Sequence, residues 1–87
     1  MIDTHFKVKR YIAEYSEATD ELLGKYDLSS FELEKFQVEF GEPNIENPMF
    51  DCYPIKEKNI NFLKGYIEKE PKWDFNNKSY FVEAHAI

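Results

Sequence analysis

The soft and nucleophilic side chains of this 87-residue chain reduce to Cys52, His5 and His85. No two of them sit three or four residues apart, so the paired spacing of a tetrahedral zinc site is missing and no metal ligand set is expected. Cys52 and His85 can be drawn as a nucleophilic pair, but no local motif supports it, and the expectation is a packed cysteine and a surface histidine. Seventeen carboxylates offer many acid–base pairs. Without a scaffold large enough to form a deep pocket, none can be singled out as catalytic. The three glycines, Gly24, Gly41 and Gly65, are isolated, which leaves no glycine-rich phosphate cradle, and no loop alternates Asp or Asn as a calcium loop does. No catalytic residue and no cofactor is expected, and the chemistry that remains is recognition.

The charge is split by segment. Residues 14–51 hold eleven acids against Lys25 and Lys35, a net of −9; the remainder hold six acids against nine bases, a net of +3, and the sums return the chain's −6. A local surplus of that size repels itself in a compact fold, which points to capture of a basic partner. Phosphates attract Lys and Arg, so the same balance argues against a nucleic-acid role. The most distinctive stretch, residues 47–55, reads Asn-Pro-Met-Phe-Asp-Cys-Tyr-Pro-Ile. It is either a proline-stiffened crossover that plugs the domain or a pre-ordered patch with Tyr53 as anchor and Asp51 as charged partner. The acids Glu32, Glu34, Glu39, Glu42 and Glu46 extend that patch, or form an ordinary solvated face.

These side chains need elements to hold them. Residues 6–13 alternate Phe6, Val8 and Ile12 with Lys7, Lys9 and Tyr11, the period of a half-buried strand, with Arg10 interrupting the buried face. Lys7, Lys9 and Arg10 read as the charge that guards a strand edge. Residues 79–87 form a second strand, apolar on both faces as an inner strand requires. Pairing the two would tie the ends of the chain together. Ala18, Leu22, Leu23 and Tyr26 predict a helix over 17–26, with Ser16 as N-cap. Ser29 and Glu32 match a capping box, predicting a helix to about Phe40 with Gly41 as C-cap. Phe36, Val38 and Phe40 also alternate as a strand would, and Phe31 and Val38 fall on the face opposite Leu33, Phe36 and Phe40. Residues 42–55 carry three prolines and read as loop, with a short extended piece at 49–53. A third helix spans about 56–68, stopped by Pro71, and residues 73–77 turn into the last strand.

The fold class expected is therefore α+β, a small single domain with antiparallel N- and C-terminal strands and about three intervening helices. At 43% hydrophobic and 17% aromatic the chain has ample material for a core. A lone cysteine excludes an internal disulfide and fits a reducing compartment. The first residues lack the basic-then-apolar pattern of a secretory signal, and no apolar run approaches the ~20 residues that span a bilayer. A cytoplasmic protein off the membrane is expected.

Over most of its length after Leu28 the chain resembles a family of small bacterial domains with a Pro-Met-aromatic-Asp-Cys-Tyr-Pro core. In them an acid-rich helix ending in Phe-Gly precedes the core and an aromatic-Val-Glu-Ala strand closes the chain. The matching residues are Phe40 and Gly41, Pro48 through Pro54, and Tyr80 through Ala84. Such domains resemble the immunity proteins of bacterial toxin systems, including contact-dependent growth inhibition. The resemblance implies a monomer or weak dimer that neutralises the C-terminal domain of one cognate toxin, often a basic nuclease. It carries over no catalytic residue. The competing expectations are an adaptor that dimerises through its aromatics and a small enzyme using Cys52 or a carboxylate pair.

Overall fold

A computed structural model describes residues 8–86; the strand start expected at Phe6 and Lys7, with His5 and the closing Ile87, lies outside the described residues. Strand β1 (Val8–Ser16) and strand β4 (Lys78–Ala86) pair antiparallel along their whole lengths, from Val8 opposite Ala86 to Ser16 opposite Lys78. The first and last described strands are thus tied together, as their alternating patterns predict. Strand β2 (Leu22–Asp27) flanks β1 and the two-residue β3 (Tyr53–Pro54) flanks β4, giving an antiparallel sheet of order β2-β1-β4-β3.

That order corrects the reading of the basic cluster. β1 is an inner strand, so Lys9 and Arg10 guard no edge. Arg10 is 6% exposed; its guanidinium lies 4.1 Å from the Phe31 ring centre and 5.3 Å from that of Phe50, and Nη1 donates to the Met49 carbonyl at 2.9 Å. Burial of the cation is met by two aromatic faces and a carbonyl. Lys9 stays at the surface, 3.2 Å from Asp27.

The helix expected over 17–26 is replaced by a hairpin. Ser16 does cap, but it caps a turn: its Oγ accepts from the Ala18 and Thr19 amides at 3.2 and 3.3 Å, and Asp20 reverses the chain with φ of 59°. Leu22 and Leu23 remain exposed, so the helical spacing never had a buried face to serve. A helix that short is marginal without one, whereas β1 supplies a ladder of backbone partners.

Two helices form. The first, α1 (Leu33–Glu39), starts later than the capping box predicts, because Ser29 is used elsewhere: its Oγ and its N–H both donate to the Tyr66 carbonyl, at 3.0 and 2.7 Å. Its end is as expected. Gly41 takes φ of 73° and donates to Val38, while Glu42 donates to Gln37 at 2.8 Å, the paired bonds that satisfy the last carbonyls of a helix. Phe36, Val38 and Phe40 are therefore not a strand. The predicted third helix contracts to a 3-10 turn at Glu57–Asn59 and α2 (Ile60–Leu63), after which the chain turns at Tyr66 and Ile67 bridges to Leu28.

The core lies on one face of the sheet, where Ile12, Tyr80 and Val82 meet Leu33, Phe36, Met49, Ile55, Leu63 and Tyr66. The opposite face presents Tyr11, Tyr15, Phe81, Glu83 and His85, by the alternation of β1 and β4. No described helix is long and apolar enough to cross a membrane.

Candidate interaction surface

The acids of residues 14–51 do not share one face. With the first helix replaced by a hairpin, Glu17, Asp20 and Glu21 sit exposed at its turn, while Glu32, Glu34, Glu39, Glu42, Glu46 and Asp51 belong to α1 and the loop after it. Glu14 leaves the surface altogether: it is buried, with the Tyr26 hydroxyl donating to Oε1 at 3.4 Å and the Lys78 ammonium 3.6 Å from Oε2.

The loop after α1 is held from inside. Gln37 is buried, and its Nε2 amide is shared among the carbonyls of Asn44, Ile45 and Asn47 at 3.3, 3.1 and 2.8 Å. Asn47 Oδ1 accepts from the Met49 amide at 2.8 Å, where Met49 takes φ of 57° and drops its side chain into the core. Glu42 receives the Tyr53 hydroxyl at 2.7 Å on one oxygen and the Asn44 amide at 3.1 Å on the other. The Tyr53 bond, with Asn44 adding, holds the Glu42 carboxyl below the usual carboxylate range. Burial, helped by Glu42, pushes Tyr53 up to about 12. Glu39 accepts from Asn59 Nδ2 at 2.7 Å, joining α1 to the 3-10 turn.

The seven residues singled out from sequence thus divide by task. Glu42 and Tyr53 bond each other within the loop, and Glu39 bonds the 3-10 turn. Glu32, paired with Lys35 at 2.9 Å, Glu34, Glu46 and Asp51 face solvent. Sequence reasoning passed over Gln37 and Ile45, and placed Val38 only on the face opposite the buried stripe. Gln37 sits one turn after Leu33 on the buried stripe, and a polar side chain at such a position is the signal that it bonds something across the helix. Val38 and Ile45 are 84% and 80% exposed, two large apolar side chains set among the acids. Replacing Gln37 with Ala removes its amide from three loop carbonyls, of which Asn44 keeps the Asn47 amide at 3.0 Å. It is expected to lower stability by about 2 kcal/mol and to speed amide exchange across residues 42–50 ahead of the sheet, which exchange-detected NMR would show.

A second cluster occupies the open face of the sheet. Glu83 is buried and receives two hydroxyls, from Tyr11 at 3.0 Å and Tyr15 at 2.7 Å. Cys52 borders a shallow basin with Tyr15, Phe81 and Glu83 and is exposed, which corrects the expectation of a packed cysteine; His85 is at the surface as expected. Partial burial, followed by the Glu83 charge, pushes the Cys52 thiol up, away from the thiolate a nucleophile needs. Among the described residues no group of three His, Cys, Asp or Glu side chains is gathered as a metal would require.

A family model described as a domain of unknown function, DUF7683, matches residues 9–83. No curated protein and no solved structure matches the chain.

Proposed function

From a chain that belongs to the DUF7683 family, whose description states no activity, we propose an immunity protein: a cytoplasmic module that binds the C-terminal domain of a cognate bacterial toxin and neutralises it. The observation that carries this reading is the braced acidic loop. Gln37, Glu42 and Tyr53 hold the backbone of residues 42–53 from within, so Glu46 and Asp51, with Glu34, Val38 and Ile45 nearby in sequence, are offered to a partner with little ordering left to do. Carboxylates steer a basic partner, such as a nuclease whose cleft is built for phosphates, and exposed apolar side chains among them supply the area that excludes water.

The test is affinity for the toxin C-terminal domain that a neighbouring reading frame is expected to encode. Glu46→Lys with Asp51→Lys is expected to weaken binding about tenfold to a hundredfold, chiefly through a slower on-rate, and raised salt is expected to weaken the wild type more than the variant. Binding indifferent to both charge and salt would sink the electrostatic reading. A second reading, an adaptor that pairs with itself, has one observation in its favour: the half-buried Tyr15 and Phe81 rings stand edge to face, 5.8 Å apart, on the side of the sheet opposite the core. A sedimentation coefficient that rises with concentration, and stops rising in Phe81→Lys, is the result that reading requires.

A further inference from the structure

The outer edge of β2 offers a second, separate place for a partner. Leu28 donates its amide to the Arg10 carbonyl at 3.1 Å, so Leu28 turns its backbone groups toward β1, and by the alternation of an antiparallel ladder Tyr26 and Gly24 do the same. Lys25 and Asp27 therefore point their amides away from the sheet. Leu23 is the extra residue of a bulge, since Glu14 opposes Gly24 while Tyr15 opposes Leu22. Beyond it Ser16 donates to Glu21 at 2.9 Å, which turns Leu22 outward as well.

The chain itself uses this edge, but only at its end. Ser29 donates to Tyr66 and Leu28 bridges Ile67, so residues 66–67 form the beginning of a fifth strand. Among the described residues nothing continues it past β2. A groove of about 510 Å³ opens instead, lined by Lys25, Tyr26, Asp27, Ser29, Glu68 and Lys69. Leu22 and Leu23, 44% and 49% exposed, lie outside the groove, further along β2 and next in sequence to the turn acids Glu17, Asp20 and Glu21. Unpaired amides, two uncovered leucines and a cluster of carboxylates ask for the same occupant.

We infer that the outer edge of β2 receives an extended segment of the partner as an added strand, its apolar side chains against Leu22 and Leu23 and its Lys or Arg against the turn acids. A second copy of this chain is a poorer occupant. Laid antiparallel and centred on Lys25, it sets lysine against lysine; centred on Gly24, it carries each Glu21 toward the other strand's Asp27. Centred on Tyr26, it would set each Lys25 against the other's Asp27, but it also needs the place beside Leu28 that Ile67 already takes. This inference rests on the reading of the protein as a binder of a basic partner, and it names a site apart from the acidic loop.

The test needs no identified partner. The isotope-labelled full chain is mixed with a short capped peptide alternating lysine and valine, and with the same peptide carrying glutamate for lysine. The basic peptide is expected to slow amide exchange at Leu22, Lys25 and Asp27 by about tenfold, as pairing of exposed amides does, and the acidic one to have no effect. Lys25→Pro, which removes an outward amide and no ladder bond, abolishes the protection; Lys25→Thr keeps it. Should Lys25→Pro fail to fold, Glu21→Lys with Asp20→Lys must weaken binding without touching the ladder. Peptide effects confined to α1 and residues 42–53 would overturn the added strand while leaving the acidic surface standing. No effect from either peptide would overturn both, and protection that grows with protein concentration alone would replace the partner segment with a second copy.

Discussion

Phe36→Ala is expected to bring the domain to the edge of unfolding, while Val38→Ala two positions away leaves its melting temperature within a degree or two. Phe36 has no exposed surface and meets four other rings: Phe31 at 4.4 Å between centres, Phe62 and Tyr66 at 4.9 Å, and Phe40 at 6.0 Å. Truncation removes the ring's transfer free energy, leaves a cavity, and forfeits the edge-to-face contacts, together about 4 kcal/mol. A domain of this size has roughly 4–13 kcal/mol in all. The rings around Phe36 come from the C-cap of α1, from the strand-to-helix connection, from α2 and from the turn after it, so the surroundings cannot collapse into the gap without moving whole segments. A fall in melting temperature of about 20 °C by circular dichroism is expected. A fall of only a few degrees would mean that the aromatic cluster packs less tightly than these distances imply.

The same cluster shows which parts of the fold could be read from the chain. β1 and β4 were legible because alternation runs through both, and an inner strand apolar on two faces looks like little else. The α1 stop was legible because glycine is the residue that tolerates the φ of 73° found at Gly41. The hairpin at 16–27 was not, because Leu22 and Leu23 are exposed and so carried a helical spacing with no burial behind it. The capping box failed for a long-range reason: Ser29 bonds Tyr66, a partner that no local window contains. The interaction surface divides in the same way. Its charge could be counted from composition, and the prolines announced a stiff loop. Which acids face outward depended on Tyr53 reaching Glu42 and Asn59 reaching Glu39, and spacing in the sequence does not specify either contact.

Raising the pH is expected to unfold the protein in one cooperative step above pH 10, with tyrosinate absorbance and loss of circular dichroism moving together. Tyr11, Tyr53 and Tyr80 are pushed up to about 12, in each case first by burial, with Glu83, Glu42 and Glu14 respectively adding to it. Tyr15 is raised as far, first by its bond to Glu83 and then by burial. An unfolded tyrosine ionises near 10.0. Between 10 and 12 the unfolded chain has therefore released protons that the folded chain still holds, so stability falls as pH rises through that window and is fully present below it. The four hydroxyls act in one direction, and a tyrosinate beside Glu83 or Glu42 would face a carboxylate already charged. Ionisation thus waits for unfolding and then occurs at once. Glu83→Gln should separate the local charge from burial: Tyr11 and Tyr15 lose the adjacent carboxylate and ionise at lower pH, while Tyr53, held by Glu42 at 2.7 Å, does not follow. Tyrosines that titrate gradually near 10 with the fold intact would show that these hydroxyls reach solvent. The carboxylates of Glu42 and Glu83 would then no longer account for the order of the loop and of the open sheet face.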